Sequence, residues 1–193
     1  MLSRKLKILF ICFLMMCTFT SCYDAKELDE LTYVVAIGVD KGVLDSYRLT
    51  VKFHTMKNAG GEKGGEGKSG GQYETVTIDA PSFFTGINMY NAIVARRLNF
   101  MHTKILVFSE DIAKTGVSSY IAPIIRFREI RRTIDVIVSR TSASKFIEEY
   151  EPVEGNAFSK AIELLLTEPV KTGYISNVTL SDFYNGLKST YRQ

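Results

Sequence analysis

Eight consecutive residues, Thr32-Tyr-Val-Val-Ala-Ile-Gly-Val39, are β-favouring and almost wholly apolar. A run of that length and composition predicts a buried strand. Asp40-Lys-Gly42 and Asp45-Ser46 follow it with turn chemistry. Tyr47-Arg-Leu-Thr-Val-Lys-Phe53 then alternates, with Tyr47, Leu49, Val51 and Phe53 on one face. Together the two segments predict a hairpin, so the fold is built on a sheet.

The remaining pattern supplies the partners of that hairpin. Residues 59–71 are Gly, Lys, Glu and Ser, which cannot bury apolar surface and predict a mobile loop. Tyr73–Asp79 reads as a third strand. Phe84, Ile87, Tyr90, Val94 and Leu98 recur at helical spacing and predict a helix over 83–99, with Ser82 as N-cap. Lys104–Phe108 is a short apolar strand. Glu110-Asp111 opens a helical stretch that breaks near Gly116. A second helix over 117–127 carries Pro123, which argues for a kink or a late start. Thr133–Val138 predicts a further strand. Ser142 starts a short helix ending near Tyr150. Asn156–Thr167 predicts a helix with Ile162, Leu165 and Leu166 inward and Pro169 as its stop. Thr179 or Ser181 caps a last helix over 182–189. The order β-β-β-α-β-α-β-α-α-α predicts an α+β (mixed α/β) domain, a mixed sheet of about five strands with helices packed on it. A chain of 193 residues with 46% hydrophobic content can bury one ordinary core. It shows no internal repeat.

The N-terminus follows a different logic. Arg4, Lys5 and Lys7 form a basic head, and Ile8–Phe19 carries no charge. Thr20-Ser21-Cys22 comes next, and charges resume at Asp24. Basic head, apolar run and small residues form a secretory signal peptide over 1–21. The run is short of the about 20 apolar residues that span a bilayer. Cys22 after small residues resembles the lipobox of bacterial lipoproteins, with Phe19 where an aliphatic residue is usual. That resemblance implies cleavage before Cys22 and attachment of acyl chains such as palmitate to its thiol. Each buried CH₂ contributes ~0.8 kcal/mol, and stable anchoring needs more than one chain. Residues 22–31 are then a membrane-proximal linker and 32–193 the folded domain.

Charge and cysteine content narrow the function. The formal charge of +3 comes from the leader: three of the 24 basic residues lie there, leaving 21 against 21 acidic residues. A neutral mature chain gives no reason to expect nucleic acid. Cys12 and Cys17 leave with the leader, so Cys22 has no internal disulfide partner.

No catalytic constellation emerges. Gly67-Lys68-Ser69 lacks the glycine that a phosphate loop needs at position 62, and a strand rather than a helix follows. His54 and His102 have no companion pattern for zinc, and His102 is expected to make a structural hydrogen bond. No Gly-x-Ser-x-Gly elbow occurs. The acidic Glu148, Glu149 and Glu151 read as a solvated helix end. The residues imply no enzyme, metal or cofactor.

One cluster invites a role. Arg126, Arg128, Arg131 and Arg132 fall within seven positions, and Arg96 and Arg97 end an earlier predicted helix. The plainer reading is ion pairing with Glu129, Glu110 or Asp135 and favourable placement at helix C-termini. The other is contact with a protein partner or with lipid phosphates.

Several motifs occur in a familiar order. Cys22-Tyr-Asp-Ala-Lys-Glu27-Leu28 is similar to a Cys-Trp-Asp-x-x-Glu-Leu mature start. Ala36-Ile-Gly-Val-Asp40-Lys41 is similar to Gly-Ile-Gly-Ile-Asp-Lys. Arg96-Arg97-Leu98, the stretch His102–Glu110, Arg128-Glu-Ile-Arg131-Arg132-Thr133 and Val178-Thr-Leu-Ser-Asp182-Phe183 follow. In this order they resemble the Ger(x)C lipoproteins, the C subunits of spore germinant receptors. Members usually continue for nearly as long again, so this chain corresponds to the family's N-terminal part, with its C-terminal domain absent. The resemblance implies a non-enzymatic subunit, held by Cys22 on the outer face of the cell membrane (the spore inner membrane). It also implies integral-membrane A and B subunits as partners and a complex that responds to small nutrients. The nutrient site is attributed to those membrane subunits, so no ligand pocket is expected here. The rival expectations are a solute-binding envelope lipoprotein and a surface hydrolase. The first usually has two lobes around a cleft, and the second lacks a catalytic set.

Overall fold

The computed structural model describes residues 4–10, 31–44, 46–54, 73–93, 96–150, 158–174 and 176–189. The chain divides into two units, Met1–Glu30 and Leu31–Gln193. In the first, residues 4–10 are helical and exposed. The rest of the expected leader, Cys22 with residues 23–30, and the glycine-rich 59–71 lie outside the described residues.

Among its described residues the second unit holds six strands: β1 (Leu31–Lys41), β2 (Tyr47–His54), β3 (Tyr73–Ala80), β4 (Arg97–Asn99), β5 (Ile105–Ser109) and β6 (Asp135–Ser139). Six helices accompany them: α1 (Phe83–Ile93), α2 (Glu110–Thr115), α3 (Ser118–Arg126), α4 (Ala143–Glu149), α5 (Phe158–Lys171) and α6 (Leu180–Lys188). The sheet runs β3-β2-β1-β5-β6, with β4 pairing β1 off that path. β2 and β3 are antiparallel additions to β1, whereas β4 and β5 run parallel to it and β6 parallel to β5. The expected α+β class and mixed sheet stand.

The unalternating sequence of β1 is explained by its position. It is the middle strand and is covered on both faces. A bulge at Val34/Ala36 shifts its register against β2. Val34, Ile37 and Val39 therefore join one core, and Val35 and Ala36 join the other. β5 divides likewise: Leu106 and Phe108 face the first core, Ile105 and Val107 the second. Continuous apolar runs are what strands covered on both faces require. The first core is closed by α1, α2, α3 and α6 through Phe83, Ile112, Ile121 and Leu180. The second is closed by α4 and α5 through Ile147, Phe158 and Ile162. Each fully buried side chain of this size contributes about 1.5–3 kcal/mol relative to exposure.

Helix α4 touches the sheet more closely than side chains normally allow. A Cβ on Gly38 would stand 2.8 Å from Ile147 Cδ1, 3.2 Å from Ala143 Cβ and 3.3 Å from Thr50 Cβ. Its two ends are held by β-strand side chains. Asp40 accepts hydrogen bonds from the Ala143 and Ser144 N–H groups at 2.7 and 2.8 Å. The Lys52 ammonium, on a residue only 8% exposed, donates to the Ile147 carbonyl at 2.7 Å and lies 4.3 Å from the Phe158 ring centre. These are groups that a helix cannot satisfy internally.

Four expectations need correction. The helix predicted over 83–99 ends at Ile93, and Arg97–Asn99 pairs with Leu31–Tyr33 as β4. Leu98 is buried either way, so spacing alone does not separate the two outcomes. Pro169 does not stop α5, which runs on to Lys171. One proline removes a single backbone bond, and so near the end few turns depend on it. Leu165 is 42% exposed rather than inward, while Ile162 and Leu166 are buried. The last helix starts at Leu180 with Thr179 as its cap, the Thr179 hydroxyl accepting from the Asp182 N–H at 3.2 Å. Among the described residues no helix is long and apolar enough to cross a membrane.

Candidate functional site

The arginine cluster lies on the connection between α3 and β6. Apolar residues fix its path. Ile130 and Ile134 are buried, and Phe127 is half-buried with its ring centre 5.3 Å from that of Phe100 and 5.9 Å from that of Phe83. Backbone bonds finish the job. The Ile130 N–H reaches the Phe127 carbonyl at 3.2 Å, the Ser181 N–H the Arg132 carbonyl at 3.0 Å, and the Leu180 N–H the Ile134 carbonyl at 2.8 Å. With Phe127, Ile130 and Ile134 turned inward, Arg126, Arg128, Arg131 and Arg132 are exposed.

Three of the four meet in one place. Arg126, Arg128 and Arg132 line a concavity of about 620 Å³ with Ser181, Tyr184 and Asn185 of α6. Ile125, Phe127 and Ile130 supply its apolar wall. Arg131 is not among the lining residues. The α6 contribution was not anticipated from sequence. The i, i+3, i+4 spacing of Ser181, Tyr184 and Asn185 marks a shared helix face, but not what it faces.

Of the expected ion pairs, Arg97 with Glu129 forms, and among the described residues those of Arg126, Arg128, Arg131 and Arg132 do not. The Arg97 guanidinium lies 3.0 Å from the Glu129 carboxylate. Glu110 takes Lys114, also at 3.0 Å, one helical turn on. Burial raises the Asp135 carboxyl above the usual carboxylate range, opposed by a hydrogen bond from Asn177 and by the Lys104 charge. Asp182 accepts from the Thr179 hydroxyl at 2.7 Å. Among the described residues, none of the four guanidiniums has a carboxylate partner. The Lys188 ammonium, 5.8 Å from the Tyr184 ring centre, adds another positive charge at the end of α6.

Two further concavities lie among the described residues. One of about 680 Å³ is lined by Phe84, Asn91, Arg96, Arg97 and Glu129, and of its three charged groups Arg97 and Glu129 pair with each other. One of about 250 Å³ sits at the carboxyl ends of β1 and β5, lined by Asp40, Arg48, Glu110 and Arg140. There Asp40 is committed to the α4 backbone and Arg48 to Asp79 at 2.6 Å.

His54 and His102 make separate contacts. Each packs edge-on against a tyrosine, His102 on Tyr33 at 5.1 Å and His54 on Tyr73 at 5.4 Å. Among the described residues the His102 ring makes this contact rather than the hydrogen bond expected of it. No group of three or more metal-ligating side chains occurs among the described residues. Cys22 and Gly67-Lys68-Ser69 lie outside them.

Comparison with known proteins agrees with the order of motifs. The family model for the spore germination protein N-terminal domain matches residues 24–193. The chain is 30% identical over 138 residues to YfkR of Bacillus subtilis strain 168, covering 70% of this chain and 34% of that protein. It is 25% identical over 182 residues to spore germination protein KC of the same organism, covering 93% of this chain and 45% of the relative. Spore germination protein YndF, also from Bacillus subtilis, is 27% identical over 180 residues, covering 81% and 44%. The chain thus spans between about a third and a half of the length of these relatives. No solved structure matches it. A match that begins two residues after Cys22 and runs to Gln193 covers the whole sheet and every helix packed on it, and the chain belongs to the spore germination protein N-terminal domain family.

Proposed function

We propose that this chain is a lipid-anchored, non-enzymatic subunit of a germinant receptor that takes part in nutrient-triggered spore germination. The observation that carries the proposal is the family match starting at residue 24, immediately behind a leader-like segment and Cys22. In this reading the acylated Cys22 holds the folded domain at the outer face of the membrane. The domain then works by contact with the membrane-embedded A and B subunits. The arginine-lined recess supports a contact role, because its charges are not used to hold the fold together. Germination relatives named above support the process, and the specific complex is our inference.

The test is made in a sporulating host. Metabolic labelling with a radioactive fatty acid is expected to mark the protein, and Cys22→Ala is expected to lose both the label and the membrane fraction. Deletion of the gene is expected to slow germination with at least one nutrient. An unlabelled protein, together with unchanged germination in a strain lacking redundant receptors, would reject the proposal.

A further inference from the structure

We propose that the recess formed by Arg126, Arg128 and Arg132 with the face of α6 binds a run of carboxylates on an acidic segment of a partner protein. This names the chemistry of the contact surface and rests on the preceding reading for its physiological meaning.

The argument starts from charge. The carboxylates near the recess in sequence or on α6 have other partners: Glu129 pairs with Arg97, half-buried Asp135 bonds to Asn177, and Asp182 accepts from the Thr179 hydroxyl. Backbone bonds and inward Phe127 and Ile130 fix the connection that brings the three arginines to one recess, and among the described residues none of them has a carboxylate partner. Cations that line one concavity without a carboxylate partner attract an incoming anion. The residue type points the same way. Guanidinium forks bind carboxylates through paired N–H groups, a geometry that lysine lacks. The hydroxyls of Ser181 and Tyr184 and the amide of Asn185 supply further neutral donors along the same wall.

Shape separates an acidic peptide from a bilayer. A headgroup plane makes its best contact with a flat or bulging basic face. Here the cations line a hollow of about 620 Å³ with an apolar wall of Ile125, Phe127 and Ile130. A hollow of mixed character accepts a protruding side chain and the aliphatic stem of a glutamate. The N-terminus of α6 does not compete for the anion, because Thr179 already caps it.

The experiment uses the full 193-residue chain in nonionic micelles and a fluorescein-labelled ten-glutamate peptide, read by anisotropy. Saturable binding is expected. The pair Arg128→Ala/Arg132→Ala is expected to weaken it about tenfold or more. Arg128→Lys/Arg132→Lys keeps the charge but not the fork, and is expected to fall in between. Arg140→Ala, outside the recess, is expected to bind as the parent does. The lysine pair also covers the case in which the alanine pair fails to fold. Absence of saturable binding would overturn the proposal, as would equal losses from Arg140→Ala. So would binding confined to phosphatidylglycerol vesicles, or full displacement by inorganic phosphate at the peptide's own concentration. Fatty-acid labelling and germination play no part in this readout, so the recess and the anchored-subunit reading can fail separately.

Discussion

The Tyr47 hydroxyl donates a hydrogen bond to the Ser119 carbonyl at 2.9 Å, filling a place that Pro123 leaves vacant. Pro123 lies inside α3, four residues after Ser119, and has no N–H to give. A side chain from β2 thus repairs a helix. The two tyrosine rings at this joint, Tyr47 and Tyr120, meet edge-on at 4.8 Å. Burial, with the neighbouring Tyr120 adding to it, raises the Tyr47 hydroxyl above its ordinary pKa, so it stays a donor at any physiological pH. Tyr47→Phe is therefore expected to lower unfolding stability by about 1 kcal/mol. In a Pro123→Ala background the helix supplies its own donor, and the same change is expected to cost measurably less. Urea unfolding of the four proteins closes the cycle. Equal costs in both backgrounds would mean that the hydroxyl does not serve Ser119.

Helix α4 is only seven residues long, Ala143–Glu149, and isolated helices of that length do not persist in water. Its stability must come from elsewhere, and Asp40 and Lys52 hold its two ends. Asp40→Ala removes the acceptor of two N–H groups and is expected to cost about 1–3 kcal/mol. Asp40→Asn keeps one acceptor oxygen and is expected to cost less. Lys52→Met keeps an unbranched apolar side chain but removes the ammonium from the Phe158 ring and strands the Ile147 carbonyl, again at about 1–3 kcal/mol. Amide exchange should speed up selectively across 143–149 in both variants. Uniform acceleration over the whole sheet would contradict a local role.

Gly38 makes the close approach of α4 possible. Gly38→Ala asks Ile147 Cδ1, Ala143 and Thr50 to give way at once. The Ile147 terminus can rotate, but Ala143 and Thr50 have no such freedom. The expected loss is about 1–3 kcal/mol, as for other overpacked cores. Combining it with Ile147→Val, which removes the nearest atom, is expected to recover part of the loss in denaturant midpoint. No recovery would place the strain in the backbone instead.

The sequence made one part of this architecture plain and hid another, for a single physical reason. Local patterns report which faces are apolar; they do not report what covers them. β1 and β5 are readable because Val34–Val39 and Ile105–Phe108 are unbroken runs of apolar or small residues. β4 was not, since Leu98 satisfies a helix and a strand equally and only Leu31–Tyr33, far away in the chain, decides between them. Alternation in β2 puts Lys52 on the face opposite Leu49 and Val51, where a lysine ordinarily meets water. That face is roofed by α4 and α5, so Lys52 is buried. The arginine cluster was visible as composition. That Arg126, Arg128 and Arg132 share a hollow while Arg131 stands apart depends on Ser181 and Leu180 bonding back to the same connection.

Asp79 gives the fold a defined response to acid. Its carboxylate accepts from Arg48 Nε at 2.6 Å and from the Val43 and Leu44 N–H groups at 3.1 and 3.4 Å. It therefore ties the β1–β2 turn to β3. The Arg48 hydrogen bond is the main cause that holds this carboxyl below the usual carboxylate range, with burial opposing it. A carboxyl whose folded pKa lies below its unfolded value stabilises the fold at pH above that unfolded value, about 4. The contribution fades as pH falls through the folded value. Asp79→Asn lacks the titration altogether. The parent is thus expected to be more stable than Asp79→Asn by a constant margin between about pH 5 and pH 7, with the margin closing below about pH 4. Arg48 is partly exposed, so salt should shrink the margin without abolishing the part due to the two backbone donors. Thermal unfolding of both proteins across that range measures it directly. A margin that widens on acidification would reverse the assigned sign and remove Asp79 as the anchor of the turn.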